Sequence, residues 1–183
     1  MTTLLDYISE SILSSTRTGK AGLEDEMRRY GLDPAKVTFN ADGTIDYDGT
    51  VKMNNRGLTK LPFKFRNVSG SFYCQNNDMT TLEGAPDKVG GVFDCSHNSL
   101  TSLNHCPKII KSTFDCCYNQ LTSLEGGPEQ VGYDYDCSYN KLTSFEGLPK
   151  KLNKMLYCFS NTNNYTKEDV LKVCKVDRNK IYI

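Results

Sequence analysis

Five of the eight cysteines in this chain of 183 residues recur at a constant interval of 21 residues. A constant period of this length is typical of a repeat architecture, in which each unit buries its apolar residues against its neighbours. We therefore interpret these cysteines as core positions of a solenoid rather than as a disulfide framework. No signal-peptide pattern is visible, which favours a reducing cytoplasm. The periodic cysteines are Cys74, Cys95, Cys116, Cys137 and Cys158.

The other apolar residues and an amide residue align with the periodic cysteine. Two positions before it lie Phe72, Phe93, Phe114, Tyr135 and Leu156. Three positions after it lie Asn77, Asn98, Asn119, Asn140 and Asn161. Leucine, methionine or phenylalanine recurs five and eight positions after it, and valine, isoleucine or leucine fifteen positions after it. A weaker copy around Met53 brings the total to about six repeats.

Apolar and polar residues alternate around each cysteine, which predicts one short strand per repeat. Because every strand is followed by the same connection, we expect the strands to stack in parallel about 4.8 Å apart. The asparagines should turn inward where each strand ends and bind backbone groups of the loops. The pattern therefore predicts an α+β repeat protein, a solenoid built on one parallel β-sheet.

The chain outside the repeats predicts a cap at each end, because a solenoid must cover its terminal apolar faces. We expect residues 1–35 to form an N-terminal helical cap. Residues 36–161 then form the solenoid, and residues 162–183 form a C-terminal cap of one helix and one strand.

Local patterns support both caps. Apolar residues in the segment Leu4–Leu13 recur at helical spacing, and Leu23–Tyr30 is typical of a second helix. Near the other end, Thr166 is a candidate N-cap with Asp169 as its partner. The final residues, Ile181–Ile183, are expected to pair as a last strand that covers the edge of the sheet.

The repeat frame F-x-C-x-x-N-x-L-x-x-L resembles the leucine-rich repeat, with cysteine in one leucine position. The run Leu121–Glu125, followed by Pro128, is similar to repeats of leucine-rich repeat proteins encoded by tailed bacteriophages. The resemblance extends over residues 36–161 and departs from the pattern at Asn104–Cys106 and Ile109–Lys111. It implies a phage protein in the cytoplasm of an infected bacterium, and it implies no reaction.

The beginning of the chain leaves a second function open. Met1–Glu10 resembles the short amphipathic capsid-targeting peptides of T-even-like phages, and Ile8–Glu10 is similar to their prohead protease cleavage pattern. The alternative hypothesis is therefore a virion-associated structural or internal capsid protein.

Three aspartates stack on successive predicted strands, facing outward. At about 5 Å spacing, each adjacent pair repels by about 1–3 kcal/mol at an effective dielectric between protein surface and water. Such a row persists if the carboxylates splay into solvent or if a cationic partner neutralises them. The outward position before the periodic cysteine carries Tyr73, Asp94, Asp115, Asp136 and Tyr157.

Aromatic residues surround this acidic centre, and that combination is typical of a protein interface. We expect the face to bind a host or phage protein that has a basic surface. The favoured function is thus a non-catalytic interaction module that binds a host bacterial protein, with inhibition of that protein as a further expectation. The predicted partner-binding residues are Tyr73, Asp94, His97, Asp115, Tyr118, Asp134, Asp136, Tyr139, Tyr157 and Phe159.

Other chemistries fit the sequence less well. A Cys117–His97–Asp115 arrangement is conceivable on the outward face, but an open sheet surface offers no walled pocket. A calcium site on the aspartates would have too few ligands, so we expect neither a metal nor a cofactor. The chain has 22 Lys and Arg residues against 22 Asp and Glu residues. This balance disfavours nucleic-acid binding, and we expect neither membrane contact nor a small-molecule substrate.

Overall fold

Most 21-residue repeats contain two short strands, and each strand pairs with the strands of the adjacent turns. The computed structural model describes residues 20–183, which wind into a parallel-strand β-solenoid of about seven turns. Two sheets form the opposite sides of the coil, which we call the front sheet and the back sheet. The sequence predicted one parallel sheet, and the presence of the back sheet corrects that prediction.

The front sheet contains seven parallel strands, and the periodic cysteine directly follows five of them. In spatial order its strands are β3 (Val51–Lys52), β5 (Phe72–Tyr73), β7 (Phe93–Asp94), β9 (Phe114–Asp115), β11 (Tyr135–Asp136), β12 (Leu156–Tyr157) and β13 (Ile181–Tyr182). The pairing of β12 with β13 confirms the predicted final strand.

The back sheet contains six strands, in which only the first pair is antiparallel. In spatial order its strands are β1 (Val37–Phe39), β2 (Ile45–Tyr47), β4 (Phe65–Val68), β6 (Lys88–Val89), β8 (Ile109–Ile110) and β10 (Gln130–Val131). The last three of these six strands are two residues long and contain a single buried residue, so they show no alternation. This shortness is why the sequence pattern did not reveal the sheet.

The core lies between the two sheets, and the periodic cysteines are part of it. Their side chains are at most 1% exposed, and all five are free thiols, which confirms the prediction of packed rather than bridged cysteines. A column of aromatic rings runs through the same core. The rings of Phe93 and Phe114 stack at 6.1 Å, and the ring of Tyr135 meets Phe114 edge-on at 4.9 Å.

Tyr135 places a hydroxyl in this core where the neighbouring repeats have none. The hydroxyl is buried and has no hydrogen-bond partner among the described residues. It lies beside Gly127, where an added Cβ would be 3.6 Å from the oxygen. The same repeat position holds Ala85 and Cys106 in the two preceding turns. The hydroxyl therefore needs no glycine at this position, and an added Cβ would come closest to the Leu124 carbonyl oxygen, at 2.8 Å.

The irregular repeat at His105 does not interrupt the coil. His105 adopts a φ of 66°, in the left-handed region that Gly84 and Gly126 adopt at the same repeat position. The following strand β8 pairs normally with β6 and β10. The turn geometry is thus imposed by the stack of repeats, and histidine is one of the residues that tolerate it.

Two α-helices flank the solenoid in the part of the chain that the structure describes. Helix α1 (Lys20–Arg29) coincides with the predicted second helix and buries Leu23 and Met27 in the core cluster. Helix α2 (Lys167–Leu171) begins after Thr166, whose backbone N–H donates to Asp169 at 3.0 Å as predicted.

The predicted helix in Leu4–Leu13 and the targeting segment Met1–Glu10 lie outside the described residues. Within residues 20–183, no helix has the length and apolar character needed to cross a membrane.

Candidate functional site

The outer surface of the front sheet carries three rows of side chains that cross its strands. The row before the periodic cysteine includes three carboxylates, which we call the acidic row: Asp94, Asp115 and Asp136. The next row consists of small residues, which we call the floor: Ser96, Cys117 and Ser138. The third row holds the rings of His97, Tyr118 and Tyr139. Together with Phe159, which takes the floor position of the next turn and contacts Tyr139, we call these rings the aromatic ladder. Strand register places the three carboxylates directly side by side.

Each carboxylate of the acidic row closes a turn at the end of its strand. The Oδ1 atom of Asp115 accepts the backbone N–H of Cys117 at 3.0 Å. Asp94 and Asp136 accept the N–H two residues later in the same way, at 3.0 and 2.9 Å, and also accept that serine's hydroxyl. These bonds draw the carboxylates onto the sheet, so they are half-buried rather than splayed into solvent.

The central carboxylate has the least favourable electrostatic environment. Burial raises the pKa of Asp115 to about 6, and the neighbouring charges of Asp94 and Asp136 act in the same direction. The bond from Cys117 opposes this shift only in part. No Lys or Arg side chain in the described part of the chain forms an ion pair with the acidic row. The charge of Asp115 thus destabilises the isolated protein at neutral pH.

We expect the variant Asp115→Asn to raise the free energy of unfolding near neutral pH by roughly 1–3 kcal/mol. An exposed aspartate has a pKa of about 3.9, so the folded chain retains this proton longer than the unfolded chain does. Stability therefore falls as the pH rises from about 4 through 6. Asparagine keeps the Oδ1 acceptor for Cys117 but carries no charge. Urea unfolding at several pH values measures the difference.

The same titration contains its own control. Below about pH 4, where the aspartate is protonated in both states, the stabilities of wild type and variant should converge. A variant that is less stable than wild type at neutral pH would show that the negative charge of Asp115 stabilises the fold, contrary to this account.

The aromatic ladder is continuous and exposed. The rings of His97 and Tyr118 stack at 4.3 Å, and those of Tyr118 and Tyr139 stack at 4.1 Å. Phe159 meets Tyr139 edge-on at 5.3 Å. Tyr118 and Tyr139 are 43% and 40% exposed, and a hydrogen bond between their side chains raises the pKa of the Tyr118 phenol. Because the ring faces cover one another, the ladder presents ring edges and hydroxyls outward.

The backbone beneath the ladder adopts a conformation that tyrosine rarely takes. His97, Tyr118 and Tyr139 have φ values of 51°, 51° and 52°. The left-handed region costs a residue other than glycine about 1–2 kcal/mol. The equivalent positions in other turns hold Asn55 and Asn76, which tolerate it better. Two tyrosines in this row therefore reduce stability while placing their rings on the surface.

The remaining predicted residues border this centre. Tyr73 pairs with Asp94 and Tyr157 pairs with Asp136, so tyrosines lie at both ends of the acidic row. Asp134 lies before the strand, where its Oδ1 atom accepts the N–H of Met155 at 3.0 Å.

One further residue of the row escaped the sequence analysis. Tyr182 stacks on Tyr157 at 5.0 Å and is 43% exposed. It follows Ile181 as Tyr157 follows Leu156. The predicted final strand included Tyr182. Its place in the row of Tyr157 was missed because the last repeat does not keep the 21-residue period.

The conceivable catalytic arrangement lacks an accessible nucleophile. Cys117 was expected to face outward, but its side chain is only 9% exposed because it lies in the floor between the neighbouring serines. Burial raises the pKa of its thiol, and the hydrogen bond to Asp115 and the charge of that carboxylate add to the increase, whereas a nucleophilic cysteine needs a lowered pKa. The ring of His97 is stacked on Tyr118. The structure therefore corrects the predicted exposure of Cys117.

A cation is the one ligand type for which several donors converge here. One ligand atom each from Asp115, Cys117 and Asp136 lies within 4.8 Å of the others. The set mixes hard carboxylate oxygens with a soft, protonated thiol, and one oxygen of each carboxylate already accepts a backbone N–H. This donor set suits neither a calcium site nor a zinc site.

The back of the coil offers a different kind of surface. A groove of about 630 Å³ lies over the back sheet and mixes charges, with Lys36, Lys88 and Lys111 close to Asp46 and Asp48. It includes no residue of the acidic row or the aromatic ladder. The predicted interaction face therefore lies apart from this groove, on the front sheet.

Comparison with other proteins adds no information about this face. The sequence matches no family model, and neither the curated proteins nor the solved structures gave a significant match.

Proposed function

We propose that this protein is a non-catalytic interaction module that binds a basic protein surface through its front sheet. The observation that carries the proposal is the half-buried acidic row, in which the pKa of Asp115 is raised and which no cation among the described residues neutralises. A cationic partner would relieve this repulsion, so the free energy stored in the unbound row would favour binding.

The aromatic ladder supports the same function. Exposed tyrosines lose little conformational entropy on binding and contribute large contact areas. Tyr118 and Tyr139 hold left-handed backbone positions at a cost in stability. A functional role for the rings would explain why these positions are not asparagine or glycine.

The repeat frame supports a narrower version of the proposal. Its resemblance to leucine-rich repeats of tailed-phage proteins suggests a phage-encoded leucine-rich repeat solenoid with a helical N-terminal cap and a mixed C-terminal cap. In this version the partner is a host bacterial protein, and binding inhibits it.

The test is affinity capture from bacterial lysate by the wild type and by a triple variant, Asp94→Asn, Asp115→Asn and Asp136→Asn. Asparagine can still accept the backbone N–H that closes each turn, so the variant should remain folded. We expect the variant to bind the captured partner at least about tenfold more weakly, with a smaller dependence on salt.

A second triple variant controls for total charge. Glu125→Gln, Glu129→Gln and Glu146→Gln make the same charge change at exposed positions outside the front sheet. This control should bind like the wild type. Equal capture by all three proteins, or equal weakening in both variants, would contradict a role for the acidic row.

A further inference from the structure

The spacing of the acidic row restricts the shape of a matching basic partner. Its three carboxylates lie on adjacent paired strands, so they are about 4.8 Å apart and span roughly 9.6 Å. The adjacent rings of the aromatic ladder follow a similar step, 4.3 and 4.1 Å between centroids. A partner that meets all three carboxylates must therefore present a cation about every 5 Å along the solenoid axis.

An α-helix has this spacing, and an extended strand does not. Residues three and four apart on one helix face rise by about 4.5–6 Å, so positions i, i+4 and i+7 span roughly 10.5 Å. Alternate residues on one side of an extended chain are about 6.7 Å apart, and three of them span roughly 13 Å. An extended chain lying along the strands would meet only one carboxylate.

The cross-section of the face also fits a helix. Between the acidic row and the aromatic ladder lies the floor, whose small side chains are nearly completely buried. The two flanking rows carry larger groups that are half-buried or exposed. The face thus has a trough along the solenoid axis, with carboxylates on one side and ring edges on the other. The long apolar stems of arginine or lysine can pack along the ring edges while their charges reach the carboxylates.

We infer that the partner's binding element is an α-helix with basic residues at i, i+4 and i+7, lying across the strands of the front sheet. This inference rests on the proposed function and specifies the partner that the face recognises. Neither the acidic row nor the ladder determines the direction of the helix.

Synthetic peptides of equal length and composition provide the test. The first is a helix stapled on its outer side, with arginines at i, i+4 and i+7. The second is an equally stapled helix with the arginines distributed around its circumference. The third is an extended peptide with arginines at alternate positions. Fluorescence anisotropy at low salt measures their affinities for the wild type and for the triple asparagine variant.

We expect the aligned helix to bind at least about tenfold more tightly than either control peptide, and to lose that advantage with the triple variant. Equal or tighter binding of the extended or scrambled peptide, still weakened in the variant, would overturn the helix and leave the proposed function standing. Failure of all three peptides to distinguish wild type from variant would overturn both.

Discussion

The variant Asn119→Ala should lower the free energy of unfolding by about 3–5 kcal/mol. Asn119 connects two consecutive turns of the coil through its buried amide. Its Oδ1 atom accepts the N–H of Leu100 at 2.9 Å, and its Nδ2 atom donates to the carbonyls of Cys95 and Cys116 at 3.1 and 3.2 Å. Alanine leaves the N–H of Leu100 without a partner in a buried position and removes several further hydrogen bonds.

Urea unfolding measures this loss, and a matched control exists on the surface. Asn153 is exposed, and within residues 20–183 its hydrogen bond is made by the backbone carbonyl, which accepts from Lys180. Asn153→Ala should therefore change stability by no more than about 0.5 kcal/mol. Equal effects of the two substitutions would mean that the amide of Asn119 is not what joins the turns.

The variant Phe114→Ala should lower the free energy of unfolding by a similar amount, about 3–5 kcal/mol. Its ring is completely buried between those of Phe93 and Tyr135. Removing it forfeits the transfer free energy of the ring and leaves a cavity, because the paired strands on both sides restrict collapse. Chemical denaturation of the purified variant checks the magnitude.

A milder substitution in the same column of rings serves as the control. It tests whether the loss of stability comes from removing a ring or from any change in the core. Tyr135→Phe removes only a buried hydroxyl that has no partner among the described residues. It should leave the stability unchanged or raise it by about 1 kcal/mol. If Tyr135→Phe destabilised the protein as strongly as Phe114→Ala, the ring-packing explanation would be wrong.

The burial of the repeated positions was predictable because the same residue pattern occurs in several repeats. The alternation around Cys95 or Cys116 is short, but its recurrence every 21 residues distinguishes a strand in a stack from a chance pattern. The inward asparagines follow from the same logic. The structure confirms burial of all five periodic cysteines and of four of the five asparagines, with Asn161 in the last repeat only partly buried.

Several features of the front sheet were not predictable in the same way. Cys117 is outward by alternation, yet the adjacent turns cover it. The hydrogen bonds that hold Asp94 and Asp136 against the sheet come from residues two positions later, and no periodicity distinguishes such a turn from a splayed side chain. The left-handed backbone of Tyr118 was likewise invisible, because tyrosine is an unusual residue for it.

By itself, the amino-acid sequence determined the period, the inward side of each strand and the positions where carboxylates and rings recur. Those properties depend on residue order along one repeat. Tertiary structure alone decided that a second sheet closes the coil, that the carboxylates are half-buried and that the rings stack into a ladder. Each of these depends on atoms brought together from different turns, because burial and electrostatic repulsion are set by distance in space.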